Sequence, residues 1–326
     1  MPAQDTTSHS APSIYPQEWL NEWNWGDHRI SFVRTSNTTN AQTAVLIHGF
    51  GACKEHWRHN VSALTEQFNV AAVDLLGFGS SDKPQSRLAS EPEVGGSTLY
   101  CIDLWAQQVV SFLDAYKLQN VQLVGNSIGG VVALRAAEML ETRSTPAEGV
   151  VLIDCAQRAI DDKRVAEQPP FRALGRPLLK QLVRQRWITG PLFRSLARPS
   201  IIRKVLELAY PTGAGVDDQL VSVLHRATTD SGALESFRGF INLFQDHLAP
   251  ELLERLTTPV RVIWGEADPW EPVEQAQRWT AFESVYELKT VPCLGHCPHD
   301  EAPDQINPIL INMLCTAISN TTGKPE

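Results

Sequence analysis

Gly125-Asn126-Ser127-Ile128-Gly129 is a G-x-S-x-G pentapeptide, and no other segment limits the possible folds of this chain as tightly. It follows the apolar run VQLVG and precedes GGVVALRAAEML (129–140), whose apolar residues recur at helical spacing. Small residues two positions either side of a serine relieve crowding in a sharp strand-to-helix turn, so the serine can sit strained and exposed at the top of a sheet. The helix that follows turns unpaired N–H groups and positive potential toward that serine. Glycine and serine are common, so the same five residues also describe an ordinary strand-to-helix turn; the surroundings must decide.

Six runs read as strands: 28–34, 43–49, 69–77, 121–127, 149–155 and 259–265. The first alternates. The others are short, rich in β-branched residues and bounded by turn residues, as central strands of a parallel sheet are. Helical patterns lie between them at 101–117, 129–140 and 304–318. This alternation predicts an α/β fold with a mainly parallel sheet flanked by helices. From 156 to 249 helix follows helix with no good strand. An insertion there reads as a helical cap over the carboxyl ends of the strands, where open α/β sheets bind ligands. The expected organisation is a core of 15–155 and 250–320, a cap of 156–249, and disordered tails at 1–14 and 321–326.

A serine nucleophile needs a base, and the base needs an orienting carboxylate. Both follow in order. PVRVIWG runs into Glu266-Ala267-Asp268-Pro269, and Leu294-Gly295-His296 sets a histidine in a loop before the last helix. Asp268 is the expected acid and His296 the expected base. Glu266, nearer the strand, is the reserve acid and reads better as a turn residue. His299 reads as a packing or hydrogen-bonding residue of the histidine loop. The loop His48-Gly49-Phe50-Gly51 can curl its backbone close to a substrate. The N–H groups of Phe50 and Ile128 are therefore the expected oxyanion donors, and His48 reads as a buried structural histidine.

HGFG (48–51), DLLGFGSSDKP (74–84), GNSIGG (125–130), WGEADPW (264–270) and GHCPHDE (295–301) together resemble the α/β-hydrolase superfamily. GNSIGG, DPWEP and GHCPHDE resemble more closely a plant and cyanobacterial branch that includes pheophytinase-like, chlorophyll-dephytylating esterases. The resemblance implies Ser127 as nucleophile, Asp268 as acid, His296 as base, and ester hydrolysis without metal or organic cofactor. It does not carry the substrate, which depends on the cap. Relatives that attack with a carboxylate, the epoxide hydrolases and haloalkane dehalogenases, are disfavoured by Ser127. Hydrolysis of a carbon–carbon bond and cofactor-free perhydrolysis use the same triad and stay open. So does a ligand-binding protein on this fold, which a fluorophosphonate probe would separate from an enzyme.

The chain carries a formal net charge of −9, which argues against general nucleic-acid binding. Yet residues 156–210 hold twelve Lys and Arg against four Asp and Glu, interleaved with leucines and aromatics. Two readings follow: a lid that docks on an anionic membrane surface and admits a hydrophobic ester, or a solvated cap whose apolar face covers the site. Trp187, Phe193 and Tyr210 are the candidate substrate-binding residues. No run of about 18 apolar residues is present. The polar start MPAQDTTSHSAPS does not resemble a secretory signal, and the six scattered cysteines read as reduced thiols, so a cytoplasmic location is expected. Cys293, His296, Cys297 and His299 are zinc-capable but lack a second ligand pair.

Overall fold

The computed structural model describes residues 14–36, 42–159, 161–167 and 170–316. The expected tails lie outside these residues, Ile14 apart. Among the described residues eight strands form one sheet: β1 (Leu20–Trp25), β2 (His28–Thr35), β3 (Thr43–Ile47), β4 (Asn69–Val73), β5 (Val121–Asn126), β6 (Gly149–Ile153), β7 (Val260–Gly265) and β8 (Val285–Val291). Their order is β1-β2-β4-β3-β5-β6-β7-β8. β1 and β2 are antiparallel to their neighbours, and β4 through β8 pair in parallel. This is an α/β-hydrolase fold.

The period-2 alternation of a strand divides the core in two. On β3, Val45 and Ile47 pack on one face of the sheet, and Ala44 and Leu46 on the other. Twelve α-helices accompany the sheet among the described residues. α1 (Val61–Thr65) and α12 (Pro303–Cys315) cover one face; α2 (Ile102–Tyr116), α3 (Ile128–Thr142), α9 (Ala249–Arg255) and α10 (Val273–Trp279) cover the other. The short α11 (Pro298–Glu301) lies between the histidine loop and α12. Between β6 and α9 come α4 (Pro170–Arg184), α5 (Arg186–Leu196), α6 (Pro199–Ala209), α7 (Asp218–Thr229) and α8 (Ala233–Ile241), with no strand among the described residues of that stretch.

Two strands were not anticipated. β1 alternates half-buried and exposed residues, and β8 reads buried-intermediate-exposed. Both are edge strands, which lack the two-sided apolar signature of the centre. The expected strand at 69–77 ends at Val73. There the fully buried Asp74 accepts hydrogen bonds from Lys54 N, Lys54 Nζ and Ser80 N at 2.6, 2.8 and 2.8 Å. Burial alone would raise its pKa, but the Lys54 ammonium outweighs it and holds the carboxyl below its ordinary value.

Candidate active site

β3 and β5 are parallel neighbours, so the loop after β3 and the turn after β5 meet at the carboxyl end of the sheet. Ser127 occupies that turn with φ 56° and ψ −125°, a region costly for any residue but glycine. The flanking glycines explain how the turn closes. A Cβ on Gly125 would lie 2.3 Å from the carbonyl oxygen of Gly129, and one on Gly129 would lie 2.4 Å from that of Ile47. A Cβ on Gly49 would stand 3.0 Å from Cβ of Ser127, so the β3 loop passes directly beside the serine.

The loop after β7 supplies Asp268 and the loop after β8 supplies His296. Asp268 Oδ2 lies 2.7 Å from His296 Nδ1, and both side chains are almost wholly buried. The other carboxylate oxygen accepts from the backbone N–H of Trp270 and of Glu271 at 2.8 and 3.1 Å. These two bonds fix the rotamer of Asp268. The Trp270 ring meets the imidazole edge-to-face at 4.9 Å. The histidine loop is held from below by Asn126 Nδ2, which donates to His296 O at 3.0 Å and to Ile153 O at 3.1 Å. It is also held by Ala209 at the end of α6, whose carbonyl accepts from His296 N at 2.9 Å. Glu266 is exposed and only its backbone N–H is engaged, bonding to Val291 O.

Ser127, His296, Phe50 and Ile128 all line one cavity of about 540 Å³. Its walls are mainly apolar, with Phe193 and Leu196 from α5, Ile202 and Val205 from α6, and Phe237 and Phe240 from α8. Neither Phe50 N nor Ile128 N bonds to a backbone partner among the described residues. The Phe50 ring stacks on Phe240 at 3.7 Å, joining the β3 loop to α8.

Of the three cap residues expected near substrate, Phe193 lines the cavity and the other two do not. Trp187, on α5, is 73% exposed. Tyr210 is fully buried beneath the histidine loop, because its hydroxyl is spent on protein groups: it donates to Asp300 Oδ2 at 2.9 Å and lies 2.7 Å from His56 Nε2. Asp300 also takes Arg58 Nε at 2.8 Å, and Arg58 reaches Asp217 and Gly215 O. Burial, opposed only in part by Asp300, drops His56 to a pKa of about 4, so it is neutral there.

His48 is buried, with Nδ1 2.8 Å from Gly49 O and Nε2 accepting from Leu75 N. His299 is buried against Trp57 at 4.3 Å between ring centres. Cys293 is exposed while Cys297 is buried, all six cysteines are free, and no group of three His, Cys, Asp or Glu suited to a metal occurs among the described residues.

One residue of the site went unread in the sequence. Glu271 lines the cavity, and its Oε2 accepts from Gln157 N at 3.1 Å. Burial raises its pKa to about 7, against the opposing pull of His296. The signal was a second acid three residues after Asp268 in the same loop.

The model of the alpha/beta hydrolase family matches residues 44–309. The chloroplastic pheophytinase of Arabidopsis thaliana is 24% identical over 82% of this chain and 60% of its own length. A 2-hydroxy-6-oxo-6-(2'-aminophenyl)hexa-2,4-dienoic acid hydrolase of Metapseudomonas resinovorans is 24% identical over 81% of this chain and 80% of its own. The solved structure of epoxide hydrolase CorEH superposes with a TM-score of 0.71 at 20% identity, covering 90% of this chain and 97% of that one.

Proposed function

Since the chain belongs to the alpha/beta hydrolase family, we propose that it is a serine hydrolase cleaving a carboxylic ester of a hydrophobic substrate through an acyl-enzyme on Ser127. The observation that carries this reading is the 2.7 Å contact between Asp268 and His296 on the cavity that Ser127 lines. A carboxylate on Nδ1 fixes the imidazole so that Nε2 is the basic nitrogen.

His296 takes the proton of Ser127 as the serine oxygen attacks the ester carbonyl. The N–H groups of Phe50 and Ile128 stabilise the oxyanion. The tetrahedral intermediate collapses, and the alcohol leaves with the proton from His296. Water then gives its proton to the same histidine and attacks the acyl-enzyme, and as the acid is released His296 returns that proton to the oxygen of Ser127. An apolar cavity of about 540 Å³ suits a substrate with a hydrophobic acyl or alkyl part, and the likeness to pheophytinase favours a phytyl-type pigment or lipid ester.

The test is a fluorophosphonate probe followed by a panel of esters graded by acyl and alcohol size. Labelling lost in Ser127→Ala supports the reading; labelling that survives it defeats the reading. Absence of labelling in the wild type favours a ligand-binding protein instead.

A second reading within the same triad is hydrolysis of a carbon–carbon bond. It is favoured by the likeness to the dienoic acid hydrolase of Metapseudomonas resinovorans. Turnover of such a dienoic acid, with no ester in the panel cleaved, selects it.

A further inference from the structure

The described part of helix α4, from Gly175 on, turns two cations inward and three leucines outward. An ordinary surface helix turns its apolar stripe to the core and its charges to water. Here Arg176 is buried, with Nε and Nη2 on Asp162 at 3.0 and 2.8 Å, and Lys180 reaches the same carboxylate at 2.6 Å. Both cations also lie over the Phe244 ring, at 5.7 and 5.0 Å. The opposite side of the helix presents Leu178, Leu179 and Leu182 to the exterior, Leu178 at 63% exposure.

The surface continues across the next two helices. Trp187 and Leu192 on α5 and Leu208 on α6 are exposed as well. Eight of the eleven large apolar residues exposed among the described residues fall between 178 and 208, so the exposure is concentrated on three consecutive helices. Apolar exposure concentrated in this way marks an interaction surface.

The charge around the patch identifies its occupant. Residues 170–209 contain nine Lys and Arg and a single acid, Glu207, in a chain of net charge −9. Arg184, Arg194 and Lys204 on these helices and Arg198 between α5 and α6 are exposed, and none pairs with a carboxylate among the described residues. A second copy of this face would bring cation against cation. An anionic lipid surface meets both properties at once: leucines and a tryptophan enter the acyl boundary, and the cations meet the headgroups.

We propose that the outer face of α4–α6 docks the protein on an anionic lipid surface. The docking face also holds the rim of the active-site cavity. Leu196 and Val205 line that cavity and are exposed at the same time. A docked molecule therefore opens its cavity toward the lipid, and a hydrophobic substrate enters without crossing water. The docking itself does not depend on the hydrolase reading, because it is measured without turnover.

The experiment is co-sedimentation of the full chain with vesicles of phosphatidylcholine alone and with phosphatidylglycerol added, at low and high salt. Binding should be about tenfold or more stronger with phosphatidylglycerol and should fall at high salt. Arg194→Gln combined with Arg198→Gln should lower it by about tenfold or more. Leu178→Gln combined with Leu179→Gln should lower it too, with the circular dichroism and thermal melt of the wild type retained. Binding should shift tryptophan emission to the blue in the wild type and much less in Trp187→Phe. No vesicle binding, equal binding to both lipids, or variants that bind like the wild type would each overturn the proposal. Concentration-dependent dimers that the leucine substitutions abolish, without vesicle binding, would assign the face to a second copy instead.

Discussion

The side-chain amide of Asn126 donates to the backbone carbonyl of His296 across 170 positions of sequence. The residue before the candidate nucleophile thus holds the loop of the candidate base, and the same amide also reaches Ile153 O. Asn126→Ala removes both bonds from a buried place, at a cost of about 1–3 kcal/mol. It also lets the imidazole drift, which lowers kcat about tenfold to a hundredfold with little change in KM. Urea melts and steady-state kinetics on one ester read the two effects separately.

Asp268→Asn keeps the shape of the loop but replaces the acceptor at His296 Nδ1. On the proposed mechanism kcat falls by about three to four orders of magnitude, while the thermal midpoint moves little. A variant within tenfold of the wild-type rate would show that another carboxylate orients the histidine.

Glu271 sets a pH signature on stability. Its pKa is raised by burial from 4.5 to about 7, so between those values the folded chain holds a proton that the unfolded chain has lost. Stability from this group is complete below about pH 4.5 and declines as pH rises through about 7. Glu271→Gln keeps an acceptor for Gln157 N and removes the titration. The variant should match the wild type near pH 4.5 and exceed it near pH 8 by on the order of 1–3 kcal/mol. Guanidinium melts at the two pH values check the difference.

Gly125→Ala sets a methyl group against the carbonyl of Gly129, which belongs to the first turn of α3 and cannot swing aside. The expected loss is about 3 kcal/mol or more, together with failure to label with fluorophosphonate. Labelling at the wild-type rate would mean that the elbow relaxes to accept a side chain.

Beneath the histidine loop, the cluster of Arg58, Asp300 and Tyr210 predicts a rank order. Asp300→Ala leaves a buried guanidinium short of its main partner, worth about 3 kcal/mol. Tyr210→Phe deletes one hydroxyl from the same cluster, worth about 1 kcal/mol. Calorimetry on both variants tests the order, and a reversed order would place the strain at His56.

The central sheet was legible because β3 to β7 are apolar on both faces, a pattern that demands burial on both sides. β1 and β8 were not, because an edge strand spends half its residues on water and then reads like loop. Ser127, Asp268 and His296 each stand at the end of a strand, so their order along the chain carried their positions. Glu271 escaped because its property comes from burial beside Gln157 and His296, and burial across distant segments leaves no mark in the local sequence. Tyr210 was misread for the same reason. An aromatic residue in an insertion suggests substrate contact, but its hydroxyl was claimed by Asp300, ninety positions on.

The end of α6 and the segment after it are tied to the histidine loop at Ala209, Tyr210 and Thr212, the last of which bonds to Glu301 while Glu301 in turn takes Gly295 N. The helices between β6 and α9 are therefore braced against that loop. A chimera that exchanges α4–α6 for those of a relative but stops before Ala209 keeps the bracing of His296. One that cuts after Asp217 discards it, and would lose its activity for reasons unrelated to the substrate preference that the exchange was meant to transplant.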